Sequence, residues 1–215
     1  MKGLVLKDLY NVSHNEKTFL VVLLIISAAI SHEVGLTSAI FCCASMCSML
    51  IMTTFLFDDK LQWSRYALTM PISRKELVAS KFIVLLIFSI VGIVIGFLIS
   101  MIGGLLPRES ILTMINQDKL LLVMLTALAM AMILGGLVIP LLFRFGTKNA
   151  NLILLVAFFI PIVLILGLYK IMVMMGIELT DSLVIRLLFA SPIVALLVDW
   201  LMYCLSCRLF QHKSL

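Results

Sequence analysis

Six apolar stretches, at about 18–31, 35–57, 82–106, 120–143, 152–176 and 187–207, limit this chain to very few folds. A helix needs roughly 20 apolar residues to cross a hydrocarbon core about 30 Å thick, and all but the first stretch supply them. The first has only fourteen. It reaches about 21 Å at helical rise, so it must recruit its flanks or sit in thinned lipid. With 63% apolar and 13% charged residues, a soluble core could not hide the apolar surface, and the excess must face lipid. The expected fold class is an all-α integral membrane protein with six transmembrane helices.

Charge placement sets the orientation. With the amino terminus inside, the cytoplasmic segments hold Lys2, Lys7, Lys17, Lys60, Arg65, Arg74, Lys75, Lys81, Arg144, Lys148, Arg208 and Lys213, twelve of the 16 basic residues. Only Arg108, Lys119, Lys170 and Arg186 fall on the outer side or in the outer half of a span. The positive-inside rule therefore puts both termini in the cytoplasm. The expected location is a bacterial cell membrane. The outer connections, about 32–34, 107–119 and 177–186, are too short to form a solute-capturing domain, so any cargo is expected from the cytosol or inner leaflet. The pI near 9.0 arises from short clusters between apolar runs and not from one basic face, so no nucleic acid is expected as a partner.

The first 17 residues carry Lys2, Lys7, Asp8, Glu16 and Lys17, and no small-residue cleavage pattern closes the first apolar run, so no removable signal is expected. Residues 3–15 read as an amphipathic interfacial helix, with Val5, Leu6, Leu9, Tyr10 and Val12 on one side and Lys7, Asp8, Asn11 and Asn15 opposite. Leu4 falls on the polar side. The chain then divides into the interfacial segment 1–17, spans one and two within 18–57, a polar elbow at 58–81, spans three to six within 82–207, and a cytoplasmic tail at 208–215.

The elbow is the one long polar stretch, running from Asp58-Asp59-Lys60 through Trp63-Ser64-Arg65-Tyr66 and Pro71-Ile72-Ser73-Arg74-Lys75-Glu76-Leu77 to Ser80-Lys81. Pro71 ends whatever helix precedes it. Ser73 and Glu76 have capping-box spacing, so a new helix is expected to begin at Arg74 and run into the third span. Physics alone describes a rigid elbow leaving the membrane, and most such loops merely connect.

That stretch resembles the signature of the ABC transporter type-2 permease family, in which an acidic pair and Trp-x-Arg-Tyr lead into Leu-x-x-Pro-Ile-Ser-Arg-Lys. The opening Met1-Lys2-Gly3-Leu4-Val5-Leu6-Lys7-Asp8-Leu9 is similar to that family's amino terminus. Its layout of interfacial helix, six spans and a cytoplasmic elbow between spans two and three covers essentially the whole chain. The resemblance implies that Ile72, Ser73, Arg74, Lys75, Glu76, Leu77 and Ser80 form a coupling helix docking into an ATP-hydrolysing subunit. It further implies that Asp58, Asp59, Trp63, Arg65, Tyr66 and Pro71 belong to the adjoining membrane-edge segment. The subgroup it points to exports cytolytic or antimicrobial peptides, including phenol-soluble modulins.

No G-x-x-x-x-G-K-[ST] loop occurs, so ATP and magnesium are expected in a partner ATPase and no cofactor in this chain. His14, His32 and His212 form no ligand set, and Cys42, Cys43, Cys47, Cys204 and Cys207 read as packing residues, so no metal site is nominated. No catalytic residue is nominated either, for want of a nucleophile–base pair. Asp199 lies inside the last span, where a carboxylate is costly. It reads either as a cargo-pathway or dimer-interface acid, or as a group hydrogen-bonded to a neighbouring helix or neutralised by its proton. Lys170 can snorkel outward beside Tyr169. Gly92-x-x-x-Gly96, Gly103-Gly104 and Gly135-Gly136 permit close helix approach or local bending, and Pro140, Pro161 and Pro192 each free a backbone carbonyl, so kinks or broken ends are expected there.

Together these features lead us to expect the permease subunit of an ABC exporter for a hydrophobic or amphipathic peptide or small molecule. Its partners would be an ATPase subunit and a second permease chain, identical or paralogous. The rival is a non-transporting membrane protein, such as a bacteriocin immunity factor or an accessory sensor subunit.

Overall fold

A computed structural model describes residues 2–15, 17–33, 36–61, 63, 73–104, 117–174 and 181–211. They form seven α-helices: α1 (Lys2–Asn15), α2 (Lys17–Glu33), α3 (Leu36–Lys60), α4 (Arg74–Gly104), α5 (Gln117–Phe145), α6 (Ala150–Met174) and α7 (Asp181–Gln211). A short 3-10 turn, Thr147–Asn149, joins α5 to α6. There is no strand among the described residues. Within the bilayer a helix satisfies its own backbone, which is why apolar stretches of this length become helices.

Among the described residues, five helices are long and apolar enough to cross a membrane, over Thr37–Lys60, Arg74–Ile102, Leu120–Phe145, Thr147–Ile171 and Ile185–Phe210. The expected sixth is the first apolar stretch. It lies in α2, which has 17 residues and an apolar segment of only Val21–Ile30. Its shortness, already visible in the sequence, keeps the count of clear spans at five.

α3 and α5 are the inner helices, and α4 and α7 pack beside them. The apolar window of α5 is 61% buried, against 18% for the window over α6, which packs mainly on α5 and turns Phe159, Val163 and Leu164 outward. A helix apolar on all sides yet so little covered by protein is suited to lipid.

Small residues decide where helices meet most closely. A methyl group added at Gly92 would come within 2.7 Å of the Cys43 carbonyl oxygen and 2.8 Å of the Cys47 Cβ; at Gly96 it would come within 2.7 Å of the Ile40 Cα. Gly92 and Gly96 therefore bring α4 onto the Ala39–Ile40–Cys43–Ala44–Cys47 face of α3, as small-xxx-small stripes do in membranes. All five cysteines are free thiols, and Cys43 and Cys47 are buried. On α5, side-chain carbons at Gly135 and Gly136 would collide with Leu85 of α4 and Asp199 of α7 respectively, so this pair lets two neighbours close in at once.

The amino-terminal helix departs from the helical-wheel expectation. Its buried positions are Leu4, Asp8 and Val12, at i, i+4 and i+8, while Leu6 and Tyr10 are exposed. Leu4, expected among polar residues, is buried with them. The expected polar face is thus partly the packed one, because Asp8 finds cations inside the bundle and its burial cost is offset.

Candidate functional site

The acidic pair that opens the elbow forms the last turn of α3, where carbonyl dipoles make a negative charge unfavourable. Both carboxylates are held by groups from elsewhere. Asp58 receives Lys7 Nζ at 2.5 Å and Lys81 Nζ at 2.6 Å. Asp8 receives the same two ammonium groups at 3.2 Å from Lys7 and 2.8 Å from Lys81. Lys81 also donates to Thr54 Oγ1 at 3.1 Å. Two lysines and two aspartates thus close a neutral ring joining α1, α3 and α4. Lys81 is only 2% exposed at its side chain. Removing one member of such a buried set strands its partners at a cost of about 3–5 kcal/mol.

Rings complete the node. Lys7 Nζ lies 4.4 Å from the Trp63 ring centroid, and Lys81 Nζ lies 5.0 Å from that of Phe55. Phe55 stands edge-on to Phe143 of α5 at 5.0 Å, and Phe143 packs against Phe210 of α7 at 5.1 Å. Phe55, Phe143 and Phe210 belong to the largest buried apolar cluster, which spans α1, α3, α4, α5, α6 and α7. The ion ring is therefore set against the main core and not on a loose surface.

Asp59 points to a different element. Its Oδ2 accepts the Thr147 hydroxyl at 2.6 Å and the Thr147 amide at 3.3 Å, binding the end of α3 to the turn between α5 and α6. That turn is entered through Gly146, at φ 70°, a conformation that favours glycine, with its amide donating to the Leu142 carbonyl at 2.9 Å.

The far side of the elbow re-enters at Ser73. Ser73 N–H and Oγ–H both donate to Glu76 Oε2, at 2.9 and 3.1 Å, and Glu76 N–H donates to Ser73 Oγ at 3.2 Å. This reciprocal cap starts α4 at Arg74, so the helix expected from the spacing is present and runs unbroken for 31 residues. Arg74 sits at the positive end of its own helix. It instead donates through Nη1 to the Phe210 carbonyl at 3.1 Å, with its guanidinium 5.8 Å from the Phe210 ring. The last carbonyls of α7 lack intrahelical partners, and a cation there is favourable.

The structure thus brings Asp58, Asp59, Trp63, Ser73, Arg74 and Glu76 to one end of the bundle, together with Lys7, Asp8 and Lys81. Those last three were not nominated as site residues. Their sequence signal was a lysine–aspartate pair in a mostly apolar helix and a lysine directly preceding a long apolar run. Ser73 and Lys75 are exposed, whereas Leu77 and Ser80 are buried within the chain. Arg65, Tyr66, Pro71 and Ile72 lie outside the described residues. Asp199 is elsewhere, on α7 against Gly136 of α5.

No curated protein and no solved structure matches this chain. A family model does match, over residues 3–211, and its description is ABC-2 family transporter protein. Its match takes in α1, the polar node, the capped start of α4 and every helix that follows, so the chain belongs to the ABC-2 transporter family and is a multi-pass membrane component of an ABC transporter.

Proposed function

We propose that this chain is the permease half of an ATP-driven exporter that moves a hydrophobic or amphipathic cargo, peptide or small molecule, out of the cytosol or inner leaflet. It works with an ATPase subunit, which binds ATP and magnesium, and with a second permease chain. The observation that carries this reading, within the family, is the single rigid α4. It presents a capped, charged first turn and continues for about 46 Å at helical rise. A push on that turn is delivered along the helix into the α3–α4–α5 packing, because the ion ring and Arg74 prevent the end from swinging independently. ATP-linked closure then rocks the bundle between two states.

In this reading the segment from Ile72 to Ser80 docks on the ATPase through its exposed side chains. Ser73, Lys75 and the Glu76 edge face outward, while Leu77 and Ser80 hold the segment against its own chain. α2 spans by recruiting its flanks, giving six crossings with both termini in the cytoplasm.

The test is a detergent pull-down of the ATPase subunit, paired with ATP turnover in liposomes. Lys75→Glu is expected to lower ATPase recovery several-fold in a salt-dependent way, since rim charges guide docking. Membrane insertion should be unaffected. Full recovery and normal turnover with Lys75→Glu combined with Ser73→Asp would reduce the segment to a connector. Topology is tested by single cysteines in a chain lacking the native five. Positions Ser64 and Ser214 should label from inside, and Ser110 and Ser182 from outside. Labelling of position 64 by an impermeant reagent in intact cells would reverse the orientation.

A further inference from the structure

The last span contains a buried acid that the elbow does not use. Asp199 is 6% exposed, and among the described residues neither of its carboxyl oxygens has a hydrogen-bond partner. It is pressed against Gly136 of α5, where any side-chain carbon would collide with its Oδ1. One turn earlier, Ala195 packs fully buried with Ala129 and Met132 of α5. The two helices therefore meet closely on small residues, and the carboxyl is inserted at the seam.

Gly136 stands four residues before Pro140 in α5. Pro140 has no amide hydrogen, so the Gly136 carbonyl loses the donor that would normally close its helical turn. Pro192 likewise frees the Leu188 carbonyl, and the Ser191 hydroxyl donates to it at 2.7 Å. The polar side chain brought against Gly136 is Asp199, whose Oδ1 lies where a Cβ of that residue would be.

We propose that Asp199 is a proton-binding latch between α5 and α7: the protonated carboxyl donates its hydrogen to the Gly136 carbonyl freed by Pro140. In this form the acid is neutral and the carbonyl is satisfied, which removes both burial costs. When the proton leaves, two acceptors face each other with no donor between them. Water or a cation must then enter, and α5 and α7 separate at that level. Among the described residues no neighbouring charge substitutes for the proton. α5 has no ionisable residue between Lys119 and Arg144. α4 has Arg74, Lys75, Glu76 and Lys81 at its first turns and none beyond them, with Lys81 already held by Asp8 and Asp58. On α7 itself the nearest are Tyr203 and Cys204, then Cys207.

The experiment is infrared spectroscopy of the full-length protein in liposomes, combined with thermal unfolding in detergent. The wild type should show a protonated-carboxyl stretch that is absent in Asp199→Asn and shifted in Pro140→Ala, where the restored amide competes for the carbonyl. Asn can still donate, so Asp199→Asn should unfold near the wild-type temperature while Asp199→Leu unfolds earlier. In the Pro140→Ala background the gap between Asn and Leu should narrow. A carboxylate band in place of the acid band at neutral pH would overturn the proposal. So would equal losses for Asn and Leu in the wild-type background, which the infrared arm checks on unmutated protein.

Discussion

Lys81 and Asp199 are both ionisable, both almost completely buried and both on long helices, yet their surroundings are opposites. Lys81 contacts Asp8, Asp58 and Thr54 through its ammonium group. Asp199 has no hydrogen-bond partner among the described residues and faces a glycine. A charge with every valence met acts as a joint, because any movement would break several strong contacts together. A group met by none carries a burial cost, which the proposed proton relieves in the seam. The protein places the joint where α1, α3 and α4 converge at the elbow end. It places the unsatisfied acid in the seam between α5 and α7.

The sharpest break in that comparison is Lys81→Met. It should cost about 3–5 kcal/mol, because two carboxylates lose a buried cation. Thermal unfolding in detergent measures it, and adding Asp8→Asn, which leaves Lys7 with Asp58 alone, should recover part of the loss. A single variant as stable as the wild type would show that the ring is not a joint. Next in size is Gly136→Leu, expected to destabilise by about 1–3 kcal/mol through overpacking at the seam. Cysteine cross-linking between α5 and α7 reports whether the helices are pushed apart, and unchanged cross-linking would contradict the close approach.

Asp199→Leu should fall below both, near 1 kcal/mol, since it removes only the one hydrogen bond proposed to the Gly136 carbonyl and adds apolar surface. If it instead matched Lys81→Met, Asp199 would be a joint as well and the contrast would vanish. The smallest effect belongs to Asp59→Ala, about 0.5 kcal/mol, the low end for loss of a helix cap because the bond is exposed. It should appear locally, as faster hydrogen exchange at Thr147–Asn149, with little change at α4.

The capped start of α4 and the glycine approach on α3 could be anticipated because each depends on local spacing. Ser73 and Glu76 lie within one turn, and Gly92 and Gly96 share one face whatever they pack against. The face of α1 could not be anticipated in the same way. A helical wheel assigns Asp8 outward by polarity, but the cation that buries it, beyond its neighbour Lys7, is Lys81, 73 residues away. Leu77, which the resemblance places among the docking residues, is likewise buried by neighbours that only the fold supplies.

The sequence by itself determined that the chain lives in a membrane, where its long apolar runs fall, which of them is too short, where the elbow lies and where its second helix begins. These follow from composition, run length and contacts within one turn, and need no knowledge of distant partners. Only the tertiary structure decided that Lys7, Asp8, Asp58 and Lys81 form one ring, that Asp59 holds the α5–α6 turn, that Arg74 closes the end of α7 and that Asp199 meets Gly136. Each of those joins residues far apart in the chain. Whether a buried charge is a cost or a fastening depends on the groups that packing brings to it.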